Sequence, residues 1–473
     1  MLFSSLTFLF YFLPSLVLLY YILPRNFRNH LLLIASLLFF AYGGVSYSVI
    51  LVLSILFNYF FVRQIQKSET RKKNWLFGGL VFNLGLIFAF KYLDFFISNI
   101  NGVGTFFSND FESIALLKIV MPLGISFFTF QQMSLLWDVY REPNGSRIRL
   151  LESALYISLF PQLIAGPIVR YKDIISQIKE RTESFELFRS GIIRFVLGLF
   201  KKIVFSNSCA VIADSIMDSS IDAISTPVAW LGIVAYSLHI YFDFSGYSDM
   251  AIGLGRMFGF KILENFNFPY IATSIKDFWR RWHISLSTWF RDYVYIPLGG
   301  NRRGPYRMYL NLLVVFLLTG FWHGATWSFV VWGVFHGLFL ILEKLGLESL
   351  LIRVPKLLSW SYAMLVVMLG WVFFRIEELP DALSYISKLF GGGQYSEARI
   401  VAYLNYESLT ILLLALIFAT GVITRRGKNL LPSKLKTSSA LNLAFDVVII
   451  GLFIFSVMYI NSGSYNPFIY SRF

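Results

Sequence analysis

Leu312–Gly337 reads LLVVFLLTGFWHGATWSFVVWGVFHG, a stretch with two histidines and no Asp, Glu, Lys or Arg. It exceeds the roughly 20 residues a helix needs to cross the hydrocarbon of a bilayer. Similar runs lie on both sides of it. Leu2–Leu23, Trp75–Phe90, Leu409–Ile423 and Leu441–Ile460 are all almost wholly apolar. The full 473 residues are 56% hydrophobic and 14% charged, whereas soluble domains carry about 25% charged residues. One water-soluble core cannot hide that much apolar surface. The expectation is an all-α integral membrane protein of ten to twelve transmembrane helices, folded as a single domain over residues 1–473.

Basic clusters punctuate the apolar runs: Arg25 and Arg28, Arg63 to Lys73, Arg141 to Arg149, and Arg425 to Lys436. The formal charge of +14 is therefore spread over loops. Such a pattern fits cytoplasmic contact with anionic headgroups rather than nucleic-acid binding. Placing the clusters in the cytoplasm puts both termini outside, with an even number of crossings and residues 461–473 as an extracytoplasmic tail. No basic region precedes the first run, so it reads as a retained span rather than a cleaved signal.

Two stretches are too polar for this pattern. Arg170 to Lys202 mixes charges with apolar residues at helical spacing and reads as an amphipathic interfacial helix. Residues 261–307 are dense in aromatics and arginines. They are expected to form a cytoplasmic or re-entrant element beside a cavity, because irregular backbone at membrane depth must be lined by protein or water.

The five histidines differ in setting. His30 sits at a span boundary beside arginines, and His239 reads as a hydrogen-bonded helix histidine. His323 lies inside the apolar stretch quoted above, flanked by Gly320 and Gly324. A titratable group there is costly to bury, so a functional role is the first reading and a structural hydrogen bond across helices the second. On one straight helix His336 would sit roughly 20 Å further along and on another face, which favours packing for it. His283 lies in KDFWRRWHISLSTWFRD, where Lys276, Arg280, Arg281 and Arg291 can hold an anionic donor or, alternatively, lipid headgroups. The chain lacks HExxH, GxxxxGK[ST] and GxSxG, and its one cysteine, Cys209, has an apolar setting suited to packing. No metal or bound cofactor is expected.

Long strings now converge: PLGISFFTFQQ (Pro122–Gln132), LFPQLIAGPIVRY (Leu159–Tyr171), RFVLGLFKK (Arg194–Lys202), and FDFSGYSDMAIGLGRMFGF (Phe242–Phe260). They continue with DFWRRWHISLSTWFRDYVYIPLGGNRRG (Asp277–Gly304), TGFWHGATW (Thr319–Trp327) and GWVFFR (Gly370–Arg375). In these the chain resembles the membrane-bound O-acyltransferase family, and within it the alginate O-acetylation branch, over nearly its whole length. The resemblance implies helices around a central funnel. It implies that His323 is the essential intramembrane histidine and His283 the second histidine of the same site. It implies a cell-membrane enzyme that takes an acyl group, expected to be acetyl from acetyl-CoA, for O-acetylation of an extracytoplasmic polysaccharide. Its expected partners are an SGNH-hydrolase-like acyltransferase and the polysaccharide synthesis and export machinery. The tail NPFIYSRF resembles the aromatic tail of this branch, with Ser471 where phenylalanine is usual. Tyr470 is then the candidate acyl-carrying acceptor, against the alternative of an interfacial anchor.

The alternatives are D-alanyl transfer to teichoic acid, a transporter or flippase without acyl chemistry, and a structural scaffold for polymer export. A transporter would not need FWHGA and WHISLS together, and no inverted repeat is evident.

Overall fold

A computed structural model describes residues 1–142, 147–164, 166–422 and 439–463. Among them the regular structure is helical. Seven helices are long and apolar enough to cross a membrane. They are Val45–Lys67 (α3), Lys72–Phe107 (α4), Phe185–Met217 (α8), Thr226–Met257 (α9), Trp327–Arg353 (α13), Lys356–Arg375 (α14) and Ser439–Asn461 (α17), the last by its Asn442–Asn461 portion. Two shorter apolar helices accompany them, Phe8–Ile22 (α1) and Tyr406–Ala419 (α16). Arg25–Ala41 (α2), Ile125–Arg141 (α5) and Pro305–His323 (α12) pack beside these without meeting the same criterion. For α5 the reason is burial. It is enclosed by protein along most of its length, so it can carry Gln131, Gln132 and Ser134 where a lipid-facing helix could not. Gln132 Nε2 donates to Ser54 Oγ of α3 at 2.8 Å.

Among the shorter helices are Leu150–Ser158 (α6), Tyr171–Lys179 (α7), Ile275–Arg281 (α10), Ile284–Phe290 (α11) and Leu379–Leu389 (α15). The stretch Arg170–Lys202 is not one interfacial helix. Its first half is α7, amphipathic, with Tyr171, Ile174 and Ile178 buried on one face. Its second half begins α8, after Ser184 caps the helix by accepting from Leu187 N at 3.1 Å. Three of the charges that made α8 look interfacial are paired across to α9, and Arg189 pairs with Asp446 of α17. Arg194 and Lys201 both meet Asp249 at 2.6 Å. Lys202 meets Asp243 at 2.6 Å, with side chains only 3% and 0% exposed. A buried charge is tolerable when paired, so hydropathy of α8 alone understates its fit to the membrane.

Helices α8 and α9 approach through glycines. A Cβ at Gly198 would meet Gly246 O at 2.5 Å and Met250 N at 2.7 Å, and one at Gly253 would meet Gly191 O at 2.6 Å. The contacts repeat one heptad apart on each helix, the close packing that small residues allow between membrane helices. Helices α12 and α13 use the same device. Cβ atoms at Gly320 and Gly333 would meet Phe329 O at 2.3 Å and Phe316 O at 2.4 Å. Helix α12 and α13 form a hairpin, because Gly324 is extended (φ −163°, ψ 156°) and ends α12 at His323. This overturns the single straight helix assumed for His323 and His336. His336 folds back toward the site, packed against Trp279, Trp332 and Gly370.

The glycine contacts of α8 and α9 generate a prediction. Gly198→Val should cost about 3 kcal/mol, because backbone rather than a flexible side chain blocks the new methyls. Gly451→Ala, which meets nothing within 4 Å, should leave the melting temperature of the detergent-purified protein unchanged. Equal melting of the two variants would contradict this packing.

Candidate functional site

The centre of the molecule is a chain of aromatic and imidazole rings. His323, at the C-terminus of α12, is 3% exposed. Its ring is enclosed by Trp322, Phe374 and Trp332, with centroids at 4.8, 4.9 and 5.1 Å. On the far side of Trp322, at 5.9 Å, stands the ring of His283, which is fully buried. The two histidines predicted to share a site therefore meet across a single indole. Trp332 continues the chain to His336 at 5.1 Å and to Trp279 at 5.7 Å.

His283 sits between α10 and α11 in a left-handed backbone conformation (φ 45°, ψ 52°), which costs a non-glycine residue about 1–2 kcal/mol. Asn265 holds this turn. Its backbone oxygen accepts from Ile284 N at 3.0 Å. Its Oδ1 accepts from Ser285 N at 3.1 Å and Ser285 Oγ at 2.8 Å. The same Oδ1 faces His283 Nδ1 at 3.2 Å. An amide oxygen can only accept, so Nδ1 carries the proton in this arrangement and Nε2 presents its lone pair. His283 Nε2, Trp322 Nε1 and Trp332 Nε1 are buried without a hydrogen-bond partner among the described residues. Buried polar atoms are rarely left so. Here one acceptor and two donors are available to a polar occupant beside the rings.

A cavity of about 530 Å³ lies between the 276–295 segment and α12. Lys276, Arg280 and Arg291 line its outer part, and Val315 and Thr319 of α12 its inner part. Thr319 lies one helical turn before His323. Three of the four predicted donor-binding residues thus share one space. Lys276 pairs with Glu348 at 2.7 Å and Arg291 with Asp292 at 2.8 Å, while Arg280 is exposed and makes no ion pair among the described residues. Arg281 does not join them. It turns to Asp277 at 2.9 Å and to the carbonyl of Asn267. Beyond Arg291 and Tyr295 a second opening is lined by Asn301, Arg302 and Arg303, which sequence reasoning did not single out.

Asp292 anchors this element to the bundle. It pairs with Arg170, Lys172 and Arg291, and its carbonyl accepts from Arg141 at 3.1 Å. Burial alone would raise the Asp292 carboxyl, but the surrounding cations outweigh it and hold it below the usual carboxylate range.

On the other side of Trp322 an apolar cavity of about 550 Å³ is walled by Phe130, Trp289 and Phe321. A third cavity, of about 570 Å³, opens between Asn207–Ser215, Tyr403–Ile411 and the end of α17 at Tyr459–Ser462. Tyr470 lies outside the described residues. His239 is bonded to Ser206 Oγ at 3.0 Å, His30 is exposed, and Cys209 is buried, each in the setting its sequence context predicted.

Residues 87–373 match the model of the membrane-bound O-acyltransferase family. The chain is 38% identical to a Pseudomonas putida protein named "Probable alginate O-acetylase AlgI", with 100% of both chains covered. It is 40% identical to the peptidoglycan O-acetyltransferase of Helicobacter pylori over 83% of this chain and 80% of that one. It is 29% identical to the teichoic acid D-alanyltransferase of Bacillus subtilis over 46% of this chain and 58% of that one. These matches set aside the transporter and scaffold readings. With its apolar helices and its family match, the chain is a multi-pass membrane O-acyltransferase and belongs to the membrane-bound O-acyltransferase family.

Proposed function

We propose that this enzyme moves an acetyl group from a cytoplasmic thioester, acetyl-CoA, toward an extracytoplasmic cell-envelope polysaccharide. The observation that carries the reading is the meeting of two buried imidazoles across Trp322, one helical turn beyond a cavity whose outer part is basic. Similarity over 83–100% of this chain to relatives named for O-acetylation of alginate and of peptidoglycan supports the acetyl group and the polymer class. D-alanyl transfer is the weaker alternative, since its representative aligns with less than half of this chain.

In this mechanism the anionic part of the donor rests near Lys276, Arg280 and Arg291. Its thioester reaches inward past Thr319. The attacking hydroxyl gives its proton to neutral His323 as its oxygen bonds to the thioester carbonyl carbon. The carbon–sulfur bond then breaks, and the thiolate leaves with a proton returned to it. General-base help of this kind contributes typically 10²–10⁴-fold. Neutral His283 serves as an acceptor rather than as a donor to the carbonyl, because Asn265 takes its Nδ1–H and the Nε2 lone pair is what it presents to the site. The enclosing indole and phenyl rings keep water from the thioester. Tyr470 is the proposed first acceptor. An SGNH-hydrolase-like partner and the polymer export machinery complete transfer outside.

Three outcomes follow. His323→Ala should lower acetyl transfer by about 10²–10⁴-fold while leaving membrane insertion intact, read as O-acetyl content of the polymer at matched expression. Normal acetylation by that variant would refute the assignment. Arg280→Ala combined with Arg291→Ala should raise the KM for acetyl-CoA about tenfold, equivalent to roughly 1.4 kcal/mol, with kcat little changed. An unchanged KM would move the donor elsewhere. Tyr470→Phe, which keeps the ring, should abolish label on the chain from radiolabelled acetyl-CoA and stop polymer acetylation. Full activity would leave the tail an anchor.

A further inference from the structure

The last four carbonyls of a helix have no partner within it. Helix α12 ends at His323, so these are the carbonyls of Gly320, Phe321, Trp322 and His323. Only the first is satisfied by the local chain, through Gly324 N at 3.2 Å. The other three are satisfied by two consecutive side chains of α4. Tyr92 OH donates to Phe321 O at 2.5 Å. Lys91 Nζ donates to Trp322 O at 2.6 Å and to His323 O at 3.0 Å.

This arrangement is specific in three respects. A lysine within an apolar span is costly and calls for a reason. Its amine donates here at a helix C-terminus, where the helix dipole favours a positive or donor group. The segment Phe88–Tyr92 is a widened, π-type turn within α4, a distortion that often occurs at functional sites. Here it brings two successive residues onto one helix end, with the Tyr92 ring also packed on Phe321 at 6.1 Å. Lys91 holds the backbone of His323 and of the indole-bearing Trp322 beside it, and Tyr92 holds the backbone of Phe321, the residue just before them.

We propose that Lys91 and Tyr92 are positioning residues for acyl transfer: they clamp the free end of α12 and so fix the aim of the His323 imidazole. They touch no substrate and act through His323. The inference rests on the reading of His323 as the base. A misplacement of about 1 Å at a reacting group can cost 10²-fold in rate, which sets the scale of the effect.

The test is steady-state transfer from radiolabelled acetyl-CoA by the full-length protein in nanodiscs. Lys91→Met keeps the chain length and apolarity but leaves two carbonyls without donors. Its kcat should fall about 10²-fold with the donor KM within twofold. Lys91→Arg, which can reach both carbonyls, should recover kcat to within about tenfold of the parent. Tyr92→Phe removes one hydroxyl and keeps the ring, so it should fold even if Lys91→Met does not; its kcat should fall about tenfold. In a His323→Ala background Lys91→Met should cost nothing further, because residues that act as a unit are not additive. Three results would overturn the proposal: a parental kcat in folded Lys91→Met and Tyr92→Phe, a loss confined to KM, or a full additional loss in the His323→Ala background. If His323→Ala alone keeps its activity, the base assignment falls first. If His323→Ala is inactive while the Lys91 and Tyr92 variants are normal, only the clamp fails.

Discussion

Hydrocarbon offers no hydrogen bonds, and the described architecture answers that constraint repeatedly. Each unsatisfied backbone group in lipid costs several kcal/mol, so charged side chains persist inside this bundle where a partner has been provided. Lys202 is held by Asp243. Arg194 and Lys201 converge on Asp249, and Arg375 is shared by Asp214 and Asp218. Lys91 meets two carbonyls instead of a carboxylate. The pairs between α8 and α9 also set the rotation of each helix, because glycines let the backbones close to contact only in that register.

The proposed reaction centre depends on this rigidity. His323 stands where one helix stops, and His283 stands in a strained turn between two short helices. The His323 carbonyl and the His283 imidazole both find partners outside their own elements. Asn265 supports one, and the end of α12 needs an external partner for the other. The hairpin of α12 and α13, packed through Gly320 and Gly333, then brings Trp332 against the His323 ring. Positioning comes from neighbours far away in sequence, which lets a group on a helix end be aimed as firmly as one on a helix face.

Much of this was legible before any coordinates. Lipid-facing helices such as α3 and α17 must be apolar to be stable, so hydropathy finds them. The long strings around His283 and His323 pointed to a shared site, and Lys276, Arg280 and Arg291 do share a cavity. Other features carried no local signal. Helix α8 looked interfacial because its basic residues are neutralised by residues of α9 and α17 rather than by its own neighbours. The turn at Gly324 is hidden within an apolar run that reads as one straight helix, since glycine permits a break without requiring one. Arg281 could not be told from Arg280 by spacing, although its partner Asp277 lies one turn away on the same helix. Asn265 reads as one polar residue in an aromatic loop. Only its three-dimensional contacts make it the support of an imidazole.

The left-handed turn at His283 bears on how the activity of any variant at this position is to be understood. Asparagine tolerates positive φ better than most non-glycine residues, whereas alanine brings a Cβ to the same strained backbone without the local hydrogen bonds that ease it. A drop in activity on alanine replacement therefore mixes a missing imidazole with a relaxed loop, and asparagine separates the two. The same steric filter narrows what can be exchanged there without first rebuilding the turn.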